Sequence, residues 1–204
     1  MKKYLVLLSS LVSLLVMGLF VGQARAEVRL TGKIYELEGS KTAPLFDFKN
    51  DFEKKSDSQL STSIFTRADG AVAALEITKF DGSGKLTSYS WEDKQENYLG
   101  TIEVVNGTAK FSFTKNGKTK TAEEPAGQDF IVGSMIPEDF QAHWLQLMKG
   151  EKLKRRLAVV DRVETIGFEF AKESETELAG QKVVVIRMRP SNFLISALVE
   201  HLHF

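Results

Sequence analysis

Three histidines are the only imidazoles in the 204-residue chain, and two of them, His201 and His203, form a His-x-His pair near its end. On a strand this spacing puts both rings on one face, where they would supply two ligands to a metal; on a helix they would diverge by about 200° and the pair would dissolve. A metal site needs a third ligand, which the spacing does not provide. His143 lies beside Phe140 and Leu147. As a general base it would need an orienting carboxylate and a water or nucleophile, and nothing in the local sequence brings Asp161 or Glu164 to it. The chain has no Cys, which removes disulfides, thiolate ligands and thiol nucleophiles together. It also has no Gly-x-Ser-x-Gly, His-Glu-x-x-His or phosphate-cradling glycine loop. These residues predict a protein that is not an enzyme and carries no metal or cofactor.

The cations offer a different chemistry. Lys152, Lys154, Arg155 and Arg156 form a basic cluster, followed by Arg162, Arg187 and Arg189. In a strand Arg155 shares the parity of Leu153 and Leu157, which aims it at an otherwise apolar face; a solvated edge, or a pair with Asp161 or Glu164, is the alternative. Arg187 and Arg189 share one face of a strand over residues 183–189, an arrangement suited to a phosphate or carboxylate headgroup. Apolar surface is the remaining resource, with 14 Phe and 2 Trp. Asn106-Gly107-Thr108 matches the glycosylation acceptor pattern, but the Asn-Gly pair is explained by turn geometry alone.

The start of the chain sets the compartment. Lys2 and Lys3 precede an apolar run over about residues 5–21, and Ala24-Arg25-Ala26 stands ahead of Glu27. This is the pattern of a secretory signal peptide, cleaved after residue 26. The run approaches the length of a membrane anchor, but Gly18, Gly22 and the small residues before Glu27 favour processing. With no Cys to carry acyl chains, lipidation is excluded, and the product is expected to be periplasmic or extracellular with no integral span. The whole chain balances 27 Lys and Arg against 27 Asp and Glu, so losing Lys2, Lys3 and Arg25 leaves three more acids than bases. A slightly acidic domain is a poor partner for nucleic acid.

The elements that must position these groups are mostly strands. Phe46, Phe48 and Phe52 alternate with Asp47, Lys49, Asp51 and Glu53, and Phe111 and Phe113 alternate with Lys110, Ser112 and Thr114. Asp69-Gly70, Asp81-Gly82 with Gly84, Asn106-Gly107, Asn116-Gly117 and Ala179-Gly180 mark turns. Ala73, Leu75 and Ile77 read as one face of a strand sharing its core side with Tyr89 and Trp91. Pro137, Glu138, Asp139 and a terminating Gly150 predict one amphipathic helix over 137–149, with Phe140, Trp144, Leu147 and Met148 on its apolar face. Ser191 or Asn192 would cap a second, short helix over 193–202.

Residues 27–204 thus read as a single mainly β (α+β) domain: one curled antiparallel sheet or partly open barrel of about 8–10 strands packed on one amphipathic helix. One helix cannot cover such a sheet, so the sheet closes, curls around the helix or leaves an apolar groove. In size, leader and strand-helix order the chain resembles the half-barrel carriers that ferry lipoproteins across the periplasm, a resemblance that implies a lipid or amphiphile ligand and assigns no residues. The candidate lining of such a groove is Phe46, Phe48, Tyr89, Trp91, Phe111, Phe113 and Trp144, with Arg187 and Arg189 at its rim. The alternative is a structural or interaction protein of the cell envelope, docking a protein partner through sheet edges. An outer-membrane barrel, suggested by the terminal Phe204, is opposed by Glu200 and by charges on both sides of many strands, and a hydrolase lacks a nucleophile motif.

Overall fold

The computed structural model describes residues 4–9, 27–36, 44–178, 181–191 and 202–203. Nine strands form an open antiparallel sheet in chain order: β1 (Tyr4–Ser9), β2 (Glu27–Glu36), β3 (Phe46–Lys54), β4 (Ser58–Thr66), β5 (Val72–Asp81), β6 (Leu86–Asp93), β7 (Tyr98–Val105), β8 (Thr108–Lys115) and β9 (Lys118–Pro125). This is the expected mainly β architecture, and four of its hairpins, β4–β5, β5–β6, β7–β8 and β8–β9, close at the predicted turns. Asn106 and Gly107 hold φ of 51° and 76°, and Asn116 and Gly117 hold 52° and 72°. Two consecutive left-handed residues make the turn whose twist matches its flanking strands, so Val105 pairs with Thr108 and Lys115 with Lys118. Residues 4–9, at the start of the apolar run, pair with β2.

The remaining strands form a second sheet, which the single-sheet expectation merged with the first: β10 (Phe130–Ile131), β11 (Leu153–Val159), β12 (Glu164–Leu178), β13 (Gln181–Pro190) and β14 (Leu202–His203). Only β10 is parallel to its neighbour, β11; the other pairings are antiparallel. The Ala179-Gly180 turn lies outside the described residues, although Leu178 and Gln181 pair on either side of it. The helix expected over 193–202 also lies outside them, as does His201, except that Leu202 is extended in β14 opposite Met188. His203 sits opposite Arg187 in the same ladder.

Between β10 and β11 a 3-10 turn (Gly133–Met135) leads into α1 (Ile136–Ala142) and α2 (Trp144–Met148). Pro137 occupies the first turn with Glu138 and Asp139, and Gly150 at φ 81° follows the second helix, as predicted. The expected single helix is nevertheless broken at His143, which has φ −111° and ψ 19°. His143 Nδ1 lies 2.8 Å from the Asp139 carbonyl oxygen, which also accepts the His143 backbone N–H at 3.1 Å. The break takes Trp144 off the apolar face. Phe140, Leu147 and Met148 pack on the second sheet, while Trp144 stays 43% exposed.

A single alternating run joins the two cores. Phe130 and Val132 pack with Leu86, Tyr89, Ile102, Ala109 and Phe111 of the large sheet, whereas Ile131 between them packs with Leu147, Leu153, Phe170, Ile186 and Met188. A second joint lies at Gly100 on β7. A Cβ there would fall 2.7 Å from Val160 Cβ and 2.8 Å from Val160 Cγ2, so the connection between β11 and β12 rests on bare backbone. Replacing Gly100 by Ala therefore lowers stability by about 1–3 kcal/mol through overpacking. Urea unfolding measures it, and Gly100→Ala combined with Val160→Gly should be less destabilised than the sum of the single variants; strict additivity would show that the two positions do not touch.

Candidate functional site

Strand registers place two rows of side chains across the covered face of the large sheet. One row runs Asn50, Ser63, Glu76, Trp91, Gly100, Phe113; the next runs Phe52, Ser61, Thr78, Tyr89, Ile102, Phe111. The β7 and β8 end is apolar, and the β3 to β5 end is polar. This corrects the expected face of β5: Ala74, Glu76 and Thr78, not Leu75 and Ile77, share the side of Tyr89 and Trp91. Ala73 is buried as the extra residue of a bulge, where Phe65 pairs with Ala74 and Thr66 with Val72.

The polar rows are wired together. Asn50 Nδ2 donates to Ser61 Oγ at 2.8 Å and to Ser63 Oγ at 3.1 Å. The Glu76 carboxyl, 5% exposed, accepts from the Ser63 hydroxyl, the Tyr89 phenol and the Ser134 backbone N–H. Burial raises the Glu76 carboxyl above its ordinary value against the pull of those donors, and the charge of Glu138 pushes the same way. Burial and the neighbouring Glu76 hold the Tyr89 phenol well above its usual range, so it stays a donor. Thr78 and Ser134 share a hydroxyl hydrogen bond. The 3-10 turn is thereby tied to the sheet at a position where a Cβ on Gly133 would lie 3.3 Å from Glu76 Oε1.

The far end of α1 is tied to the second sheet. Arg155 Nε donates to Asp139 Oδ2 at 2.9 Å and Arg155 Nη2 to Oδ1 at 2.8 Å, with the two side chains 15% and 13% exposed. Arg155 does aim at the apolar side of β11, but its partner is Asp139 rather than Asp161 or Glu164. His143 completes the cluster, with Nδ1 3.1 Å from Asp139 Oδ1.

Between these two ties the structure leaves a half-open cleft of about 340 Å³. Phe52, Phe80, Phe130 and Met135 provide its apolar walls, and Gln59, Ser61, Gln128, Ser134, Glu138 and Asp139 its polar ones. None of the nine sequence-derived candidates lines it. Tyr89 supports it from behind through Glu76. Phe48, Phe65 and Trp91 form a chain of rings with successive centroids 5.2 Å apart, Phe111 packs edge-on to Phe130 at 6.4 Å and Phe113 against Tyr98 at 5.2 Å. Phe46 is half-buried at the start of β3. Trp144 does not join this face. Arg187 and Arg189 share a face of β13, as predicted, but it is the face opposite Ile186 and Met188, and Arg187 pairs there with Glu173 at 3.1 Å. The signal for the residues that sequence reasoning missed was an acid, Glu76, inside the apolar run Ala73-Ala74-Leu75-Glu76-Ile77.

No family model matches the chain. No curated protein matches it either. Among solved structures, the chain is similar to the crystal structure of a β-barrel-like protein of the domain of unknown function DUF1849 from Brucella abortus, with 12% sequence identity and a TM-score of 0.39 over 82% of this chain and 72% of that one. Among the described residues no group of three or more His, Cys, Asp or Glu is placed to hold a metal, and no helix is long and apolar enough to cross a membrane.

The Glu76 network carries a pH signature. A carboxyl whose folded value is raised contributes stability that is present below its ordinary value of 4.5 and is lost as the pH rises through the folded value. Glu76→Gln keeps the shape and cannot ionise, so its stability relative to wild type should improve as the pH is taken from 5 to 8. Urea unfolding across that range tests this, and parallel pH profiles for the two proteins would count against it.

Proposed function

We propose that the protein is a non-catalytic binding module of the cell envelope, holding one small amphiphilic molecule in the cleft between the large sheet and α1. The observation that carries this reading is the cleft itself, apolar on the Phe52, Phe80, Phe130 and Met135 side and hydrogen-bonding on the Ser61 and Ser134 side. Small-molecule sites combine apolar walls with a few placed polar groups in volumes of roughly 300–1,000 Å³. At about 340 Å³ the cleft suits a short ligand. A binding role is supported by the use made of the nearby carboxylates: Asp139 is held by Arg155, and Glu76 by three donors. The apolar leader and the Ala24-Arg25-Ala26 step before Glu27 support export.

Two measurements test the proposal. The purified protein should bind the neutral dye N-phenyl-1-naphthylamine saturably, and Ala142→Trp, which adds bulk at the exposed mouth of the cleft, should abolish that binding while leaving the unfolding midpoint in place. A dye signal indifferent to Ala142→Trp would move the site elsewhere. Terminal sequencing of protein recovered from the cell envelope should begin at Glu27, and recovery with the leader intact in the membrane fraction would contradict the export reading.

A further inference from the structure

The cleft has a neighbour, and the pair carries the reading of that site one step further, from an amphiphile to a class of amphiphile. A second half-open cleft of about 480 Å³ lies beside the first, and Gly84, Gln128, Phe130 and Met135 line both. The two spaces therefore meet along one shared wall. Phe130, 6% exposed and packed edge-on to Phe111, is its fixed part. Met135 is partly buried against both hydrophobic clusters, and its unbranched thioether adapts to whatever lies beside it.

The residues that the two clefts do not share differ in kind. The first alone has Gln59, Ser61 and Ser134, with the carboxylates of Glu138 and Asp139; the second alone has Leu86, Val104 and Ala126, with Lys85 at its exposed rim. Among the described residues the Gln59 amide makes no hydrogen bond, and the Ser61 hydroxyl accepts from Asn50 without donating. Both are placed to bond an occupant. By itself the first cleft suits a short molecule, but a linear tail leaving it across Phe130 and Met135 enters a space whose own walls are aliphatic. We propose that the two clefts form one directional site for a single-chain amphiphile, its hydrogen-bonding head at Gln59 and Ser61 and its tail passing over Phe130 to Leu86 and Val104. This rests on the reading of the first cleft as a binding site.

Calorimetric titration of the full chain with hexyl, octyl and decyl glucoside below their micellar concentrations tests it, since the three share one neutral head and differ only in tail length. Decyl glucoside should bind tighter than hexyl glucoside by about tenfold or more, as expected when added methylenes leave water for an apolar wall. Lys85→Trp adds bulk at the rim of the second cleft, in a turn that Asp81 holds through the backbone N–H of residue 85. It should remove most of that gain while leaving hexyl glucoside binding and the unfolding midpoint in place. A decyl glucoside carrying a diazirine at the end of its tail reads the unaltered protein, and on photolysis should label Leu86, Val104 or Ala126. Affinity indifferent to tail length, a length gain that survives Lys85→Trp, or a label confined to the first cleft would overturn the spanning site while leaving the first cleft as a binding site. Binding of none of the three would remove the binding site itself.

Discussion

A carboxyl group enclosed between two layers of a protein is tolerated only where donors surround it, and Glu76 is enclosed in this way. Its three donors come from β4, from β6 and from the 3-10 turn, so satisfying one side chain fixes three separate parts of the chain against one another. The backbone at Gly133 approaches closely enough that a Cβ would crowd the carboxyl oxygen, and Ser134 spends both its N–H and its hydroxyl on the sheet. Everything that follows the turn inherits its position from this contact. Met135, Glu138 and Asp139 stand on the cleft wall because the residue before them is bound to the strand opposite.

The cleft exists because of a difference in side-chain size across one sheet. Where the two rows cross β7 and β8 they carry Ile102, Phe111 and Phe113, and Phe130, Val132, Ala158 and Val160 close over that end. At Gly100 the cover comes down to backbone. Where the same rows cross β3 and β4 they carry Asn50, Ser61 and Ser63, small polar residues that satisfy much of their hydrogen bonding among themselves, and on β5 Thr78 meets the cover through the Ser134 hydroxyl. Apolar collapse cannot fill that end. A gap lined by Phe52 and Phe80 on the sheet side and by Phe130 and Met135 on the other is the result.

The features legible in the sequence were those decided within a few residues. Asn106-Gly107 and Asn116-Gly117 demand left-handed backbone, so their hairpins and the inward aim of Phe111 and Phe113 followed directly. Pro137 and Gly150 bounded the helical segment for the same local reason. What could not be read depends on partners distant in the chain. Arg155 was visibly aimed inward, but its partner Asp139 belongs to a helix 16 residues earlier, and the break at His143 arises within that same cluster. Trp144 fits the apolar stripe of an unbroken helix and leaves it only once the helix is interrupted. Glu76 was hidden because alternation assigns the inner face to Leu75 and Ile77, and only the donors assembled by tertiary structure reverse that assignment.

Both ends of the cleft's helical wall are anchored, and this decides how an occupant must be recognised. At the 3-10 turn the anchor is the Glu76 network; at Asp139 it is the bidentate pair with Arg155, which joins α1 to the second sheet. Removing one partner of this part-buried pair leaves the other charge poorly compensated, and leaving a buried carboxyl without its donors is unfavourable in the same way. Widening the cleft would strain one or both anchors, so the space is fixed before anything enters it. A wall held in this way is preorganised, and an occupant would be fitted by size rather than enclosed by closure. The width of the space then follows from the small polar residues on β4 and from the positions at which the two anchors hold the helix.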